Sequence, residues 1–388
     1  MGSLRGLLLC CLVLVTPFAA HSSHAHQQPL FRGTATANTT LISQKLFWEL
    51  EELARIVDIS YCVGTAGLGI KRPFSCASRC ADRDFETFDL VTAWNTGPFL
   101  SDSCGYIALS HHPAEPRLII AFRGTYSIAN TIADLSTIPQ EYIPYPGDDD
   151  ENDSSDFISP PAGAEDGNPP PAEPPKCDNC TVHTGFYSSW LNTRKVILPY
   201  VTEALERYPD YKLVLVGHSL GGAVATLAGL DFKARGWDAH VTTFGEPRLG
   251  NKEFNAYVNE RFNITANHEH NKLHRVTHVG DPVPLLPLAE WGFSMHSEEI
   301  FISESSLPAS VSDVYYCEGD EDVNCIAGSD ADKPAWGVPS RFKFWQLFFA
   351  HRDYFWRLGL CLPGGDPRDW YDKYQGDNDD HLPEVEEL

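Results

Sequence analysis

Long apolar runs are missing from this 388-residue chain everywhere but its first residues, and positive charge is scarce throughout. Lys and Arg number 29 against 53 Asp and Glu, for a formal net charge of −24 at pH 7. That balance excludes nucleic acid as a partner, because its phosphates would be repelled. It also excludes electrostatic docking on anionic bilayers, so any lipid surface has to be gripped by apolar contacts. No later segment approaches the ~20 apolar residues of a membrane span, and no integral membrane association is expected. Metal-ligand spacing is missing too. Cys177-Asp178-Asn179-Cys180 is a lone C-x-x-C without a second pair or a suitably spaced His, so neither a metal nor an organic cofactor is expected.

The N-terminus is the exception. Arg5 precedes the apolar run Leu7 to Val15, and the small Ala19 and Ala20 follow. This reads as a signal peptide over residues 1–20, cleaved between residues 19 and 25, and hence a secreted, extracellular protein. Cysteine usage agrees. Of 11 cysteines, Cys10 and Cys11 leave with the signal. Among the others, Cys76/Cys80, Cys177/Cys180 and Cys317/Cys325 are spaced for local bridges, and the odd count leaves one thiol over, for which Cys104 is the candidate. Sequons at Asn38, Asn152 and Asn263 are candidate glycosylation sites, whereas Asn179 sits inside a bridge and is expected to be skipped.

Composition breaks sharply over residues 144–176, with the run Asp148-Asp149-Asp150-Glu151 and prolines such as Pro169-Pro170-Pro171. Such a stretch cannot bury enough apolar surface to offset its ordering entropy and is expected to be a disordered insertion. Residues 362–388 form an acidic tail. Between signal and tail, residues 40–361 are read as one domain. Leu46, Leu50, Leu53 and Val57 stripe a helix over Ser43 to Ile59. Strands are expected at Tyr106 to Leu109 and Leu118 to Phe122, then a helix from Tyr187 to Tyr208. Lys212 to Val216 is a continuous apolar strand, the kind buried on both faces of a parallel sheet. A helix starts at Leu220, and further strands run from His240 to Phe244 and Leu273 to Val279. Alternating strands and helices predict an α/β sandwich around a mixed sheet.

Gly217-His218-Ser219-Leu220-Gly221 satisfies G-x-S-x-G and falls between that buried strand and the following helix. So tight a turn leaves no room for a Cβ at its flanks, hence Gly217 and Gly221. Ser219 is thereby presented at the sheet's carboxyl edge as a nucleophile, and the helix behind it favours a developing oxyanion. The backbone N–H of Leu220, next in the chain, supplies one oxyanion donor. His218 reads as a packing or hydrogen-bonding residue that points away from the hydroxyl.

These motifs belong to a larger ordered set. Ser60-Tyr61-Cys62, Phe122-Arg123-Gly124-Thr125, Val182-His183-Thr184-Gly185-Phe186, Gly245-Glu246-Pro247-Arg248-Leu249-Gly250-Asn251, Gly280-Asp281-Pro282-Val283-Pro284 and His351-Arg352-Asp353-Tyr354-Phe355 accompany the serine motif. In this set the chain resembles the filamentous-fungal class 3 lipases, a family that also holds fungal feruloyl esterases. The resemblance implies an α/β-hydrolase fold: a central, mostly parallel mixed sheet flanked by helices, with a lid helix. It implies a triad of Ser219, Asp281 and His351, an oxyanion hole of Thr125 and Leu220, and a bridge from Cys62 to Cys361. His296 is the rival general base, before the strand-like Ile300-Phe301-Ile302. Asp231 and Asp238 also follow the nucleophile, but near a helix end, where a solvated or capping role is expected. Ile128, Ile132 and Leu135 share one helical face directly after Thr125, where the family carries its mobile lid; a helix packed permanently on the body would show the same pattern.

The expected function is a secreted triacylglycerol lipase, a serine carboxylic-ester hydrolase working through an acyl-enzyme on lipid esters at an oil–water interface, as a monomer. The rivals are a feruloyl-type esterase or phospholipase A1 on the same fold and, more remotely, a catalytically silent binding protein.

Overall fold

Helix α1 (Gln44–Ile59) buries Leu46, Leu50, Leu53 and Val57 along one stripe, and Ser43 caps it by accepting the Leu46 N–H at 3.2 Å. The computed structural model describes residues 40–64, 69–97, 102–125, 139–146, 176–319, 322, 324–326 and 349–362. The expected signal peptide, Asn38, Asn152, the lid residues Ile128, Ile132 and Leu135, nearly all of the insertion and all but the first residue of the tail lie outside them.

The strands are β1 (Thr40–Leu41), β2 (Phe88–Asn95), β3 (Cys104–Ser110), β4 (Arg117–Arg123), β5 (Pro139–Glu141), β6 (Thr181–His183), β7 (Lys212–His218), β8 (Ala239–Phe244), β9 (Leu273–His278), β10 (Glu299–Ile302) and β11 (Val314–Tyr316). Nine of them form one sheet in the order β1-β11-β10-β9-β8-β7-β4-β3-β2. The five central strands, β4, β7, β8, β9 and β10, run parallel, and antiparallel strands close both edges. This is the mixed, centrally parallel sheet of an α/β-hydrolase.

Parallel neighbours need crossovers, and between β4 and β9 helices supply them on one face of the sheet. Helices α2 (Thr184–Arg207), α3 (Leu220–Ala234) and α4 (Lys252–Arg261) cover one face. There Leu118, Ile120, Leu213, Leu215 and Val241 meet Ile197, Val201, Val224, Leu227 and Phe254. The other face packs on α1, through Ile119, Ala121, Val214, Val216, Phe244 and Val276. Leu213 and Leu215 point to one side and Val214 and Val216 to the other, as a period of two demands. Buried on both faces, β7 has to be apolar throughout, which is why it reads so plainly as a strand.

Several of the described elements do not show in the sequence pattern, β2, β11 and α4 among them. A register shift between Leu90 and Thr92 breaks the alternation of β2 at the open sheet edge. Strand β11 is only three residues long. Helix α4 is polar on most of its surface and is anchored at its start by Asn251, which accepts the Phe254 N–H at 3.0 Å.

Cystine bridges join Cys62–Cys361, Cys76–Cys80, Cys177–Cys180 and Cys317–Cys325, and Cys104 is a buried free thiol. The first spans 299 residues and ties the end of α1 to the C-terminal loop. In the chain-entropy account such a closure is worth about 6 kcal/mol. Replacing Cys62 and Cys361 together by Ser should lower the thermal midpoint by on the order of 10 °C. A scanning calorimetry trace unchanged from wild type would contradict that contribution.

Candidate active site

Strands β4, β7, β8 and β9 deliver their carboxyl ends to one place. The residues just beyond them are Gly124–Thr125, Ser219, Gly245–Glu246 and Asp281. Ser219 is the N-cap of α3, with φ 58° and ψ −130°. A side chain held in so sparse a region costs about 1–3 kcal/mol and persists only where its surroundings over-determine it. Here they do. The Ser219 N–H donates to the Phe244 carbonyl at 2.9 Å. A Cβ at Gly217 would lie 2.1 Å from the Gly221 carbonyl oxygen, and one at Gly221 would lie 2.3 Å from that of Phe122. Leu220 opens the helix, so its N–H has no acceptor within the helix and carries the positive end of the dipole.

Asp281 and His351 are 70 residues apart in sequence and paired in space. His351 Nδ1 lies 3.0 and 2.9 Å from the two Asp281 carboxylate oxygens. Both residues are buried. Two further donors fix the carboxylate: the Val283 N–H reaches Oδ1 at 2.9 Å, and the Tyr354 hydroxyl donates to Oδ2. Burial, together with the Asp281 charge, pushes the Tyr354 pKa well above that of an ordinary tyrosine. The phenol therefore keeps its proton and stays a donor. His351 Nε2 is buried and has no hydrogen-bond partner among the described residues. With Nδ1 committed to Asp281, Nε2 is the ring's one open proton-accepting position.

The His351 ring packs on that of His218, with centroids 4.7 Å apart, so the pair stands one residue from Ser219. From the other side, Gly124 abuts Ser219 so closely that a Cβ there would lie 2.8 Å from the Ser219 Cβ. Thr125 follows directly and is partly buried. Ser219, Asp281, His351, Leu220 and Thr125 are thus gathered at one edge of the sheet.

His296 is elsewhere and cannot serve as the base. Its Nε2 lies 3.2 Å from the Glu246 carboxylate and its Nδ1 lies 2.9 Å from the Ser297 carbonyl. Both nitrogens face acceptors, so no lone pair is open. Glu246 also accepts from Thr226 and Thr243, at 2.7 and 2.6 Å. Burial alone would raise the Glu246 pKa, but the His296 charge and these hydrogen bonds outweigh it and hold the carboxyl below the ordinary glutamate value. Asp231 departs from the solvated or capping role expected of it: it is buried and paired with Arg194 at 3.1 Å and Arg235 at 2.6 Å. Asp238 is mostly exposed and pairs with Lys272.

The motif from Gly245 to Asn251 gains its meaning from packing. Beyond Glu246, the Arg248 guanidinium donates to the Leu285 and Pro287 carbonyls at 2.6 and 3.0 Å, bracing the loop that follows Asp281. Sequence reasoning singled out neither Tyr354 nor Glu246, although both lie in quoted motifs. Among the described residues, the one cluster with metal-ligand geometry is Glu299, Cys317 and Cys325, and its two cysteines are spent on each other in a bridge.

A strained serine at a strand-to-helix turn, with a buried Asp–His pair beside it, defines the serine-hydrolase class of the α/β-hydrolases. The family model "Lipase (class 3)" matches residues 119–291. A secreted mono- and diacylglycerol lipase 2 of Gibberella zeae is 50% identical over 89% of this chain and 89% of its own. Lipase A of Sodiomyces alcalophilus is 47% identical over 91% of this chain and 90% of its own. The crystal structure of the Lip2 lipase of Yarrowia lipolytica superposes with a TM-score of 0.66 at 30% identity, covering 84% of this chain and 99% of that one. This chain belongs to the class 3 lipase family.

Two outcomes are expected of this arrangement. Tyr354→Phe removes a donor to a buried carboxylate, and steady-state kinetics on a soluble ester should show kcat reduced by about 10-fold; an unchanged kcat would mean the hydroxyl does not help to hold Asp281. Glu246→Gln tests the buried cluster through pH. A carboxyl depressed in the folded state stabilises above its unfolded pKa, and that contribution is lost as pH falls through the folded value. The stability gap between wild type and Glu246→Gln, read by denaturant titration, should be full at neutral pH and close below the ordinary glutamate range.

Proposed function

We propose that this chain is a secreted lipase whose catalytic domain, residues 40–361, hydrolyses acylglycerol esters through an acyl-enzyme. The observation that carries the reading is the buried His351–Asp281 pair, whose Nε2 has no partner among the described residues and whose imidazole packs on His218, the neighbour of the strained Ser219. His351 Nε2 takes the Ser219 hydroxyl proton as Oγ bonds to the acyl carbon. Negative charge moves to the former carbonyl oxygen, where the N–H groups of Leu220 and Thr125 receive it. Collapse breaks the ester C–O bond, and His351 returns its proton to the departing glycerol oxygen. Water, deprotonated by the same nitrogen, then releases the fatty acid and restores Ser219. Asp281 keeps Nδ1–H facing itself and stabilises the imidazolium.

Ser219 is only 2% exposed and His351 0%, and this burial supports a reaction screened from water. Residues after Thr125, with Ile128, Ile132 and Leu135, are the lid that the sequence nominates, opening at an oil–water interface on a monomeric enzyme. Residues 1–20 then serve as the export signal. Of the proposed glycosylation sites, Asn263 is exposed on the described surface. Residues 144–176 and 362–388 are left as insertion and tail without a catalytic part.

The substrate is triacylglycerol in this reading. A second reading, that partial glycerides are preferred, is favoured by the name of the Gibberella zeae relative. Hydrolysis of emulsified long-chain triacylglycerol, diacylglycerol and methyl ferulate, with Ser219→Ala as the blank, separates them. Triacylglycerol turnover that rises once substrate exceeds its solubility is the expected result. Turnover of diacylglycerol alone would favour the second reading. Activity confined to methyl ferulate would overturn the lipase assignment.

A further inference from the structure

His218 and Tyr61 have no part in the reaction as written, yet both are buried against it. His218 Nε2 lies 2.7 Å from the backbone carbonyl of His351. A carbonyl only accepts, so Nε2 carries the ring's proton. Burial, reinforced by the neighbouring His351 and Arg352, lowers the His218 pKa well below the usual histidine value, so the ring is neutral. Its Nδ1 is then an acceptor, and it lies 2.5 Å from the Tyr61 hydroxyl. Tyr61 must be the donor there. Its oxygen in turn accepts from the backbone N–H of Gly124. Burial raises the Tyr61 pKa above that of a free phenol, so this proton also stays in place. The result is one directed chain, Gly124 N–H to Tyr61 to His218 to the His351 carbonyl. It links the loop that carries Thr125 to the loop that carries the base, through the residue next to Ser219.

We infer that His218 and Tyr61 are positioning residues that hold the oxyanion loop and the general base in register with the nucleophile. The inference rests on the acyl-enzyme reading and deepens it. Two features say that the chain is built for this alignment. Gly124 is the residue that fits: a Cβ there would lie 2.5 Å from the Tyr61 hydroxyl and 2.8 Å from the His218 carbonyl oxygen. The ends of the chain are also anchored independently. Cys62, next to Tyr61, is bridged to Cys361. Arg123, next to Gly124, donates to the Val63 carbonyl at 2.5 Å. A neutral His218 has a second consequence. Its ring stacks near that of His351, and a cationic neighbour there would oppose the imidazolium that forms on attack. Tyr61, His351, Tyr354 and Arg352 are the titratable and charged groups facing it.

The test is steady-state kinetics on a soluble activated ester with His218→Leu, His218→Gln, Tyr61→Phe and the His218→Leu/Tyr61→Phe double variant. Misalignment of catalytic groups by about an ångström costs up to ~10²-fold. His218→Leu should lower kcat by ~10- to 10²-fold with KM unchanged. Gln has an N–H and a carbonyl to span the same two partners and should recover much of the loss. The double variant should be no worse than the more damaged single one, as expected for links of one chain. If His218→Leu fails to fold, Tyr61→Phe and His218→Gln carry the test. Wild-type kcat in His218→Leu, a loss in KM alone, or losses that multiply would overturn the inference while leaving the acyl-enzyme reading intact. A wild-type chain without esterase activity, or an active Ser219→Ala, would overturn that reading and this inference with it.

Discussion

The backbone of Ser219 sits where side chains rarely go, and most of the molecule can be traced to keeping it there. Strand β7 is buried on both faces, and α3 is almost wholly buried behind it. Between them the chain must reverse within a residue or two. Gly217 and Gly221 let strand and helix approach until their backbones touch, and β8 accepts the Ser219 N–H through Phe244. The strain costs on the order of 1–3 kcal/mol, a sum that the apolar contacts on either side of the sheet can absorb. What it secures is a hydroxyl fixed at a helix N-terminus, where negative charge is favoured.

The other members of the proposed triad come from far along the chain and are secured by different means. Asp281 follows a parallel strand and inherits that strand's rigidity. His351 lies on a C-terminal loop with only a short hairpin of its own, Asp353–Tyr354 with Trp356–Arg357. That loop is fastened by several independent ties. Cys361 is bridged to Cys62, and the Gly359 N–H donates to the buried Asp58 at 2.7 Å. The Arg352 guanidinium holds the Gly359 carbonyl at 3.0 Å, and Tyr354 reaches Asp281. A flexible loop carrying a general base would lose its alignment with the nucleophile, and the density of these ties removes that freedom.

Elements buried in the middle of the sheet were legible in the sequence because burial on both faces leaves a run of apolar residues. Strands β4 and β7, α1 and the start of α3 come within a residue or two of their expected limits. Edge elements were not legible. Strand β2 hides its alternation behind a bulge, β11 is too short to show a period, and α4 presents mainly polar residues. At the candidate site, the glycines beside Ser219 nominated it, and the family resemblance of the motifs around Asp281 and His351 nominated those two. The partners that fix them were not, for a physical reason. Whether His218 packs, donates or accepts depends on a carbonyl 133 residues away, and Glu246 looks like a surface acid until His296, Thr226 and Thr243 close around it. Asp231 misleads in the same way, since Arg194 and Arg235 are what permit its burial.

Labelling with a fluorophosphonate probe, located by peptide mass spectrometry, addresses the central claim most directly. The reagent needs an activated serine and gives a stable adduct at its Oγ. The account predicts one adduct, on Ser219, in the wild-type chain, and its near disappearance when His351 is replaced by Ala. An adduct on another serine, no adduct at all, or equally fast labelling without His351 would contradict it.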